Sequence, residues 1–219
     1  MVRYAVGTPH GGLISAKLGE FLSGKPADCP WIPELGGGGA IARQRNRIVT
    51  RFLNDYPTLD HLVMIDSDQE VPDSTIPLLI NADQDLIAAN VLERRFPFRV
   101  AGFWAVDFPP ARVTLRDLPS DELAKLGALG CGCLLIHRRV LEKMTPPWFR
   151  LGEFESDLAS EDLGFCVRAV KETGVQAYLH PEARVGHETS VVIWPGKSGQ
   201  PMMTFPGRPN SWTIPIPTL

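Results

Sequence analysis

Two carboxylates one residue apart, Asp66 and Asp68, follow directly on the apolar run Leu62-Val63-Met64-Ile65. A continuous apolar run of this length suits a strand covered on both faces in a parallel sheet. The C-terminal ends of such strands are where open α/β sheets bind ligands. The two carboxylates can face one site only if the chain turns between them, which Ser67 and Gln69 allow. Hard divalent cations take carboxylate oxygens, and Mg²⁺ completes its shell with water and phosphate oxygens. The pattern therefore points to a nucleoside diphosphate and its metal as guests. A second Asp-x-Asp, Asp83-Gln84-Asp85, precedes its apolar run Leu86-Ile87-Ala88-Ala89, so it reads as a loop at the wrong end of a strand.

Three further positions carry chemical potential. Ser160 can cap a helix that opens with Glu161 and Asp162, where carboxylates suit the helix dipole or serve as acid and base. His187 stands in an isolated Val185-Gly186-His187 and reads either as a satisfied loop histidine or as a metal ligand. Arg45 lies one turn after Ile41 and close to Ile48, on the apolar face of its helix. Burying an arginine is costly unless it meets an anion or acceptor, so Arg45 is either a snorkelling side chain or a functional one, together with Asn46.

These residues need a scaffold, and the chain alternates strand-like and helix-like segments in the manner of a layered α/β domain. Arg3-Tyr4-Ala5-Val6 reads as a first strand ending at Gly7-Thr8-Pro9. Four glycines, Gly36 to Gly39, form a hinge before a helix from Ala40 to about Tyr56. Its core stripe is Ile41, Ile48, Val49, Phe52, Leu53 and Tyr56, while Arg43, Arg47 and Arg51 step along a solvated face. A short helix starts at Pro72-Asp73-Ser74, a strand covers Leu86 to Val91, and the stretch from Phe96 to about Leu118 reads as irregular. Cys131 to His137 is a buried strand and Arg138 to Met144 a short helix. The helix after Ser160 buries Leu163, Cys166, Val167 and Val170 and ends at Gly174, before a strand from Val175 to Leu179. Residues 1–193 form one domain. The segment 194–219 holds six prolines and no acidic residue, which makes it a Pro-rich C-terminal tail or a lid.

At 219 residues, 44% hydrophobic and 21% charged, the chain can bury a sizeable core. A net charge of −3 gives no bulk attraction to nucleic acid or anionic lipid. No segment approaches the length of a membrane span and no signal-peptide pattern opens the chain, so a cytoplasmic protein is expected. Cys29, Cys131, Cys133 and Cys166 lack zinc spacing and read as buried thiols in a reducing compartment.

Taken together, the chain resembles GT-A fold glycosyltransferases, especially the short family-2-like enzymes of bacteria and their phages. The matches are Ile41-Ala42-Arg43-Gln44-Arg45-Asn46, Met64-Ile65-Asp66-Ser67-Asp68, Gly130-Cys131-Gly132-Cys133-Leu134-Leu135-Ile136, Pro147-Trp148-Phe149, Ser160-Glu161-Asp162-Leu163-Gly164-Phe165-Cys166-Val167-Arg168-Ala169 and Val185-Gly186-His187. They run in the family's order to about residue 190. The stretch 96–120 and the segment after His187 match nothing in it. The resemblance implies a Rossmann-like fold with a mostly parallel central sheet flanked by helices. It implies metal-dependent transfer of a sugar from a nucleoside-diphosphate sugar, UDP-sugar first among donors, to an acceptor hydroxyl. Asp68 would ligate Mn²⁺ or Mg²⁺ bridging the donor phosphates. Asp66 would contact the ribose, or the metal through water, and His187 would be a late third ligand. Thr8 and Pro9 would hold the nucleoside, and Arg45 and Asn46 the base or phosphates. Asp162 would be the general base of an inverting reaction, with Glu161 orienting it or binding the acceptor. Relatives usually pair a nucleoside-binding Asp on the second strand with the first; here Asp28-Cys29-Pro30-Trp31-Ile32-Pro33 is broken by prolines, which leaves Asp28 a poor candidate and the base open.

Two other functions fit a similar sheet. A sugar-phosphate nucleotidyltransferase would carry a basic glycine-rich loop after its first strand. Gly7-Thr8-Pro9-His10-Gly11-Gly12 is glycine-rich, but the next basic residue is Lys17 and no G-x-G-x-x-G occurs. A non-catalytic nucleotide-binding module has no chemical reason to keep both Asp68 and His187. The acceptor is open. A modified DNA base would require a basic track, for which Arg94, Arg95, Arg99, Arg112, Arg116, Lys197 and Arg208 are candidates. Phe96, Phe98, Phe103, Trp104, Phe108, Trp148, Phe149 and Phe154 could stack on a sugar or base, or cover the core.

Overall fold

A computed structural model describes residues 3–36, 41–94, 98–105, 111–152 and 160–190, together with the backbone of three later strands. The chain opens with β1 (Tyr4–His10), α1 (Ala16–Ser23), β2 (Trp31–Leu35) and α2 (Ile41–Asp55). Next come β3 (His61–Ile65), β4 (Gln69–Glu70), α3 (Thr75–Asn81) and β5 (Leu86–Val91). Then follow β6 (Gly102–Ala105), β7 (Ala111–Arg112), β8 (Ala124–Leu126), β9 (Ala128–Leu129), β10 (Cys133–His137) and α4 (Arg138–Lys143). The last elements are α5 (Glu161–Thr173), β11 (Ala177–His187), β12 (Val192–Pro195), β13 (Pro201–Thr204) and β14 (Thr213–Pro215).

The main sheet has the order β2-β1-β3-β10-β5-β11-β4, with β8 also paired to β11. β2, β1 and β3 run parallel, as do β5 and β11, and β10 lies antiparallel between β3 and β5. This is the expected α/β architecture, a mostly parallel central sheet flanked by helices. The C-terminal ends of β3, β5 and β11 therefore share one edge with the start of β10, where Cys133 pairs with Ile65.

The apolar run of β3 is covered on both sides, as the sequence predicts. Leu62 and Met64 join the cluster beneath α2, α4 and α5, with Ile48, Phe52, Leu141 and Phe165. Val63 and Ile65 join the opposite cluster, with Leu18 and Phe21 of α1 and Ile76 and Leu79 of α3. Period-2 alternation in the strand thus fills two cores at once. α2 lies directly on β1: a Cβ at Gly7 would stand 2.4 Å from Ile48 Cγ2. That close approach requires glycine and brings the Arg45 face of α2 down onto the sheet. Of the expected stripe, Ile48, Val49 and Phe52 are buried and Leu53 and Tyr56 partly so. Ile41 is exposed, because it opens the helix.

Other differences from the sequence reading have local causes. β1 continues through His10, since β2 pairs with it from Trp31 to Leu35. Pro33 is tolerated there because β2 is an edge strand. Part of the irregular stretch 96–118 forms β6 and β7, and β6 lies between β7 and β9 in a small sheet of their own. β11 runs to His187 rather than stopping at Leu179. Its second half alternates buried Pro181, Ala183 and Val185 with polar residues, and a bulge between His180 and Arg184 hides the continuity. Asp83 lies in a turn with φ 51°, in keeping with its reading as a loop residue. β12, β13 and β14 form an antiparallel three-stranded sheet, and β12 spans residue 194.

Gly174 ends α5 in the left-handed conformation, φ 74°. All four cysteines are free; Cys131, Cys133 and Cys166 are buried, and burial pushes the Cys133 and Cys166 thiols up to about 12. Among the described residues, no helix is long and apolar enough to cross a membrane.

Candidate active site

Arg45 occupies the centre of the site-side edge, 1% exposed. Its Nη2 donates to Asp66 Oδ1 at 2.6 Å, and its Nη1 donates to Glu161 Oε1. The helical face that the sequence marked as awkward for an arginine thus delivers the guanidinium to two carboxylates, one from the end of β3 and one from the first turn of α5. Nε of Arg45 is buried with no hydrogen-bond partner among the described residues. Phe149 lies beneath the guanidinium at 5.7 Å from its ring centroid. Asn46 holds that support in place: its Nδ2 donates to Phe149 O at 2.8 Å and its Oδ1 accepts from Phe149 N at 3.0 Å. Burial raises the Asp66 and Glu161 carboxyls above their ordinary values, against the lowering effect of Arg45 and with the help of nearby Asp162. Burial would lower the Arg45 guanidinium, but the surrounding carboxylates outweigh it and keep the charge in place.

Asp68 belongs to a second group. Its Oδ2 lies 3.4 Å from His187 Nε2 and 2.9 Å from Arg94 Nη1. The backbone sets this meeting: β4 pairs antiparallel with the end of β11, His187 opposite Gln69, and Glu188 N donates to Asp68 O at 2.9 Å. His187 Nδ1 is 2.8 Å from Leu92 O, a carbonyl that can only accept, so Nδ1 carries the hydrogen. Nε2 of a neutral His187 then turns a lone pair toward a carboxylate oxygen. Two acceptors facing each other call for a shared cation, whether a proton, the Arg94 guanidinium or a metal. Burial opposes the charged form of both groups, yet their contact prevails. Asp68 is held below its ordinary value and His187 above its own.

Asp162 completes the edge from the second residue of α5. Its Oδ1 accepts from Leu163 N at 2.8 Å and its Oδ2 from Cys131 N at 3.3 Å, so the turn before β10 aims the carboxylate. Ser160 stands at the N-cap position in extended conformation, but its side chain makes no capping bond. The expected cap is therefore only positional. Thr8 and Pro9 are buried within β1, not in a loop behind it, and Thr8 Oγ1 accepts from Trp31 Nε1 at 3.1 Å.

Two ligand groups fit a metal here. Asp68 and His187 converge, while Asp66 is engaged by Arg45; no group of three or more His, Cys, Asp and Glu is gathered for a metal among the described residues. A carboxylate plus an imidazole with Nδ1 fixed by a carbonyl is a fitting donor pair for Mn²⁺ or Mg²⁺ completed by phosphate oxygens and water.

Arg94 is the residue that sequence reasoning placed only in a basic track. It lies three positions beyond β5, at the same edge as Asp66, so the strand-end rule that singled out the aspartates also reaches it. Arg95, Lys197, Arg208, Phe96, Phe108 and Phe154 lie outside the described residues.

No family model matches the chain, and no curated protein does. Among solved structures it is similar to A197 from STIV, with 17% identity over 99% of both chains and a TM-score of 0.62. That likeness shows a shared fold. It also matches a glycosyltransferase involved in the glycosylation of the major capsid of PBCV-1, with 14% identity over 64% of this chain and 62% of that one, TM-score 0.35. A structure described as a glucose-1-phosphate thymidylyltransferase from Bacillus anthracis in complex with a sucrose matches with 12% identity over 82% and 87%, TM-score 0.42. Likenesses at these last two scores leave the activity to be argued from the site.

Proposed function

We propose that this protein transfers a sugar from a nucleoside-diphosphate sugar to an acceptor hydroxyl, with inversion at the anomeric carbon. The observation that carries this reading is the Asp68–His187 pair, two acceptors held face to face at a strand end beside Arg94. Such a pair would suit a divalent cation, the kind that offsets the charge of a diphosphate. Asp68 and His187 would hold Mn²⁺ or Mg²⁺, which when bound offsets negative charge on the leaving diphosphate. Arg94, half exposed, is free to turn from Asp68 to the same diphosphate. Arg45 stays paired and keeps Asp66 and Glu161 charged in a buried setting, Asp66 toward the ribose and Glu161 beside the base.

Asp162 takes the proton of the attacking hydroxyl. The acceptor oxygen forms its bond to the anomeric carbon as the bond from that carbon to the diphosphate oxygen breaks, and the electron pair leaves with the diphosphate. No covalent enzyme intermediate is required. The sequence resemblance and the shared edge of Asp66, Asp68, Asp162, Glu161 and His187 support these roles.

Thermal unfolding in UDP, GDP, CDP, dTDP and ADP, each with and without Mn²⁺, tests the donor site. A ligand at 100 times its dissociation constant adds about 2.7 kcal/mol to the folded state. The expected result is a metal-dependent shift with one nucleotide, lost in Asp68→Ala. No shift with any of them, or pyrophosphate release from a nucleoside triphosphate and a sugar phosphate, would replace the proposal.

A further inference from the structure

A cavity of about 270 Å³ lies against Asp162, lined among others by Glu93, Phe103, Arg112, Ser160 and Leu163. Arg45, Asp66, Asp68 and His187 are not among its described lining residues, so it adjoins the site through Asp162. The segment after β5 joins the two. Leu92 offers the carbonyl that fixes His187, Arg94 reaches Asp68, and Glu93 between them lines the cavity. Three consecutive residues therefore serve the cation pair and the cavity between them.

The polar groups of the cavity show what would fit. Arg112 is already engaged, 2.5 Å from Glu93 Oε1 and 4.8 Å over the Phe103 ring. Asp162 and Glu93 are carboxylates, which only accept. Ser160 Oγ is buried with no partner among the described residues. It does not cap its helix either, so the fold gains no hydrogen bond from it. A wall rich in acceptors with one unused hydroxyl calls for a ligand rich in O–H donors. An anionic ligand would meet the Asp162 carboxylate, with Arg112 already engaged by Glu93. The volume lies just under the range of about 300–1,000 Å³ typical of small-molecule sites, which suits one ring and not a polymer's cross-section.

We propose that this cavity binds the acceptor, and that the acceptor is a neutral, polyhydroxylated ring, a sugar or sugar-like terminus. Glu93 and Ser160 take hydrogen bonds from its hydroxyls, and Asp162 meets the hydroxyl that reacts. This rests on the transferase reading for the reaction, but the binding itself does not. Glu93 and Ser160 are specificity residues in this account.

Ligand-observed NMR on the full chain, without donor, tests it with methyl glucoside, methyl mannoside, methyl galactoside, N-acetylglucosamine, rhamnose and a single-stranded DNA oligonucleotide. Nucleoside diphosphates with Mn²⁺ are titrated in parallel, and circular dichroism checks that Glu93→Gln and Ser160→Ala fold. At least one sugar is expected to bind, about tenfold or more weakly to Glu93→Gln and several-fold more weakly to Ser160→Ala. Sugar binding that both variants leave unchanged overturns the assignment, as does binding of the oligonucleotide with no sugar bound. Nucleotide binding with no sugar bound also overturns it, while the transferase reading stands. Sugar binding that the variants weaken, with no nucleotide binding, keeps the cavity and removes the transferase reading.

Discussion

Helix α2 meets a buried or half-buried arginine at each end, and the two are held in opposite ways. Arg45, on its first half, faces the carboxylates of Asp66 and Glu161, and its Nε has no partner among the described residues. Arg138, from α4, closes its C-terminal end: Nε donates to Leu59 O at 2.8 Å, and Nη2 donates to Phe52 O at 3.1 Å and Tyr56 O at 2.5 Å. Its guanidinium also stacks 4.4 Å over the Phe52 ring. Carbonyls at a helix C-terminus welcome a cation and cannot titrate. Carboxylates can titrate, move and meet a ligand. Arg138, held chiefly by carbonyls, therefore serves the fold, whereas Arg45, held by two buried carboxylates at a strand end and a helix start, is placed to serve a site.

Removing each arginine sharpens the contrast. Arg45→Met leaves two carboxylates buried without their cation, and breaking such a group costs about 3–5 kcal/mol. Chemical denaturation at neutral pH should read that loss, along with loss of nucleotide binding. The deficit should shrink as pH falls. Without Arg45 the folded-state values of Asp66 and Glu161, already raised by burial, rise further, so the folded protein takes up protons before the unfolded chain does. Arg138→Met deprives carbonyls that water can partly reach, at about 1–3 kcal/mol, with no such pH dependence and with nucleotide binding intact per folded molecule. Equal pH profiles for the two variants would break the comparison.

Smaller effects follow from the two ends. His187 must be neutral to ligate a metal, and its value is raised. Mn²⁺ affinity should therefore fall by up to about tenfold per pH unit below that raised value, as calorimetry would show, and become pH-insensitive above it. On the fold side, Glu172 accepts from Thr145 N at 2.8 Å and from Arg168 Nε at 3.0 Å, and these bonds hold its carboxyl below its ordinary value. Its contribution is present above the unfolded carboxylate value and is lost as pH falls through the lowered one. Glu172→Gln should cost no more than about 1 kcal/mol, because the group is largely solvated.

Much of this was legible beforehand because local periodicity carries it. The run before Asp66 announced a doubly covered strand, and helical spacing put Arg45 on the apolar face of its helix, where it would either snorkel or meet an anion. Gly174 marked the end of α5. The length of β11 was hidden because a proline, a bulge and alternating polar residues break the apolar signal while leaving the ladder intact. The unfilled cap at Ser160 was invisible, since residue type shows that a hydroxyl can accept a bond and not whether it does.

The sequence by itself determined the elements, the two faces of the sheet and the edge at which the charged residues gather, since periods of 2 and 3.6 residues are local properties of the chain. Only the tertiary structure decided how the charges divide. Asp66 and Asp68 are two residues apart, yet one goes to Arg45 and the other to His187 and Arg94. The docking of α2 on the sheet brings Arg45 to Asp66, and the antiparallel pairing of β4 with β11 brings His187 to Asp68. The Asp68–His187 contact joins residues more than a hundred positions apart, and the geometry of all three depends on packing that no short stretch of sequence contains.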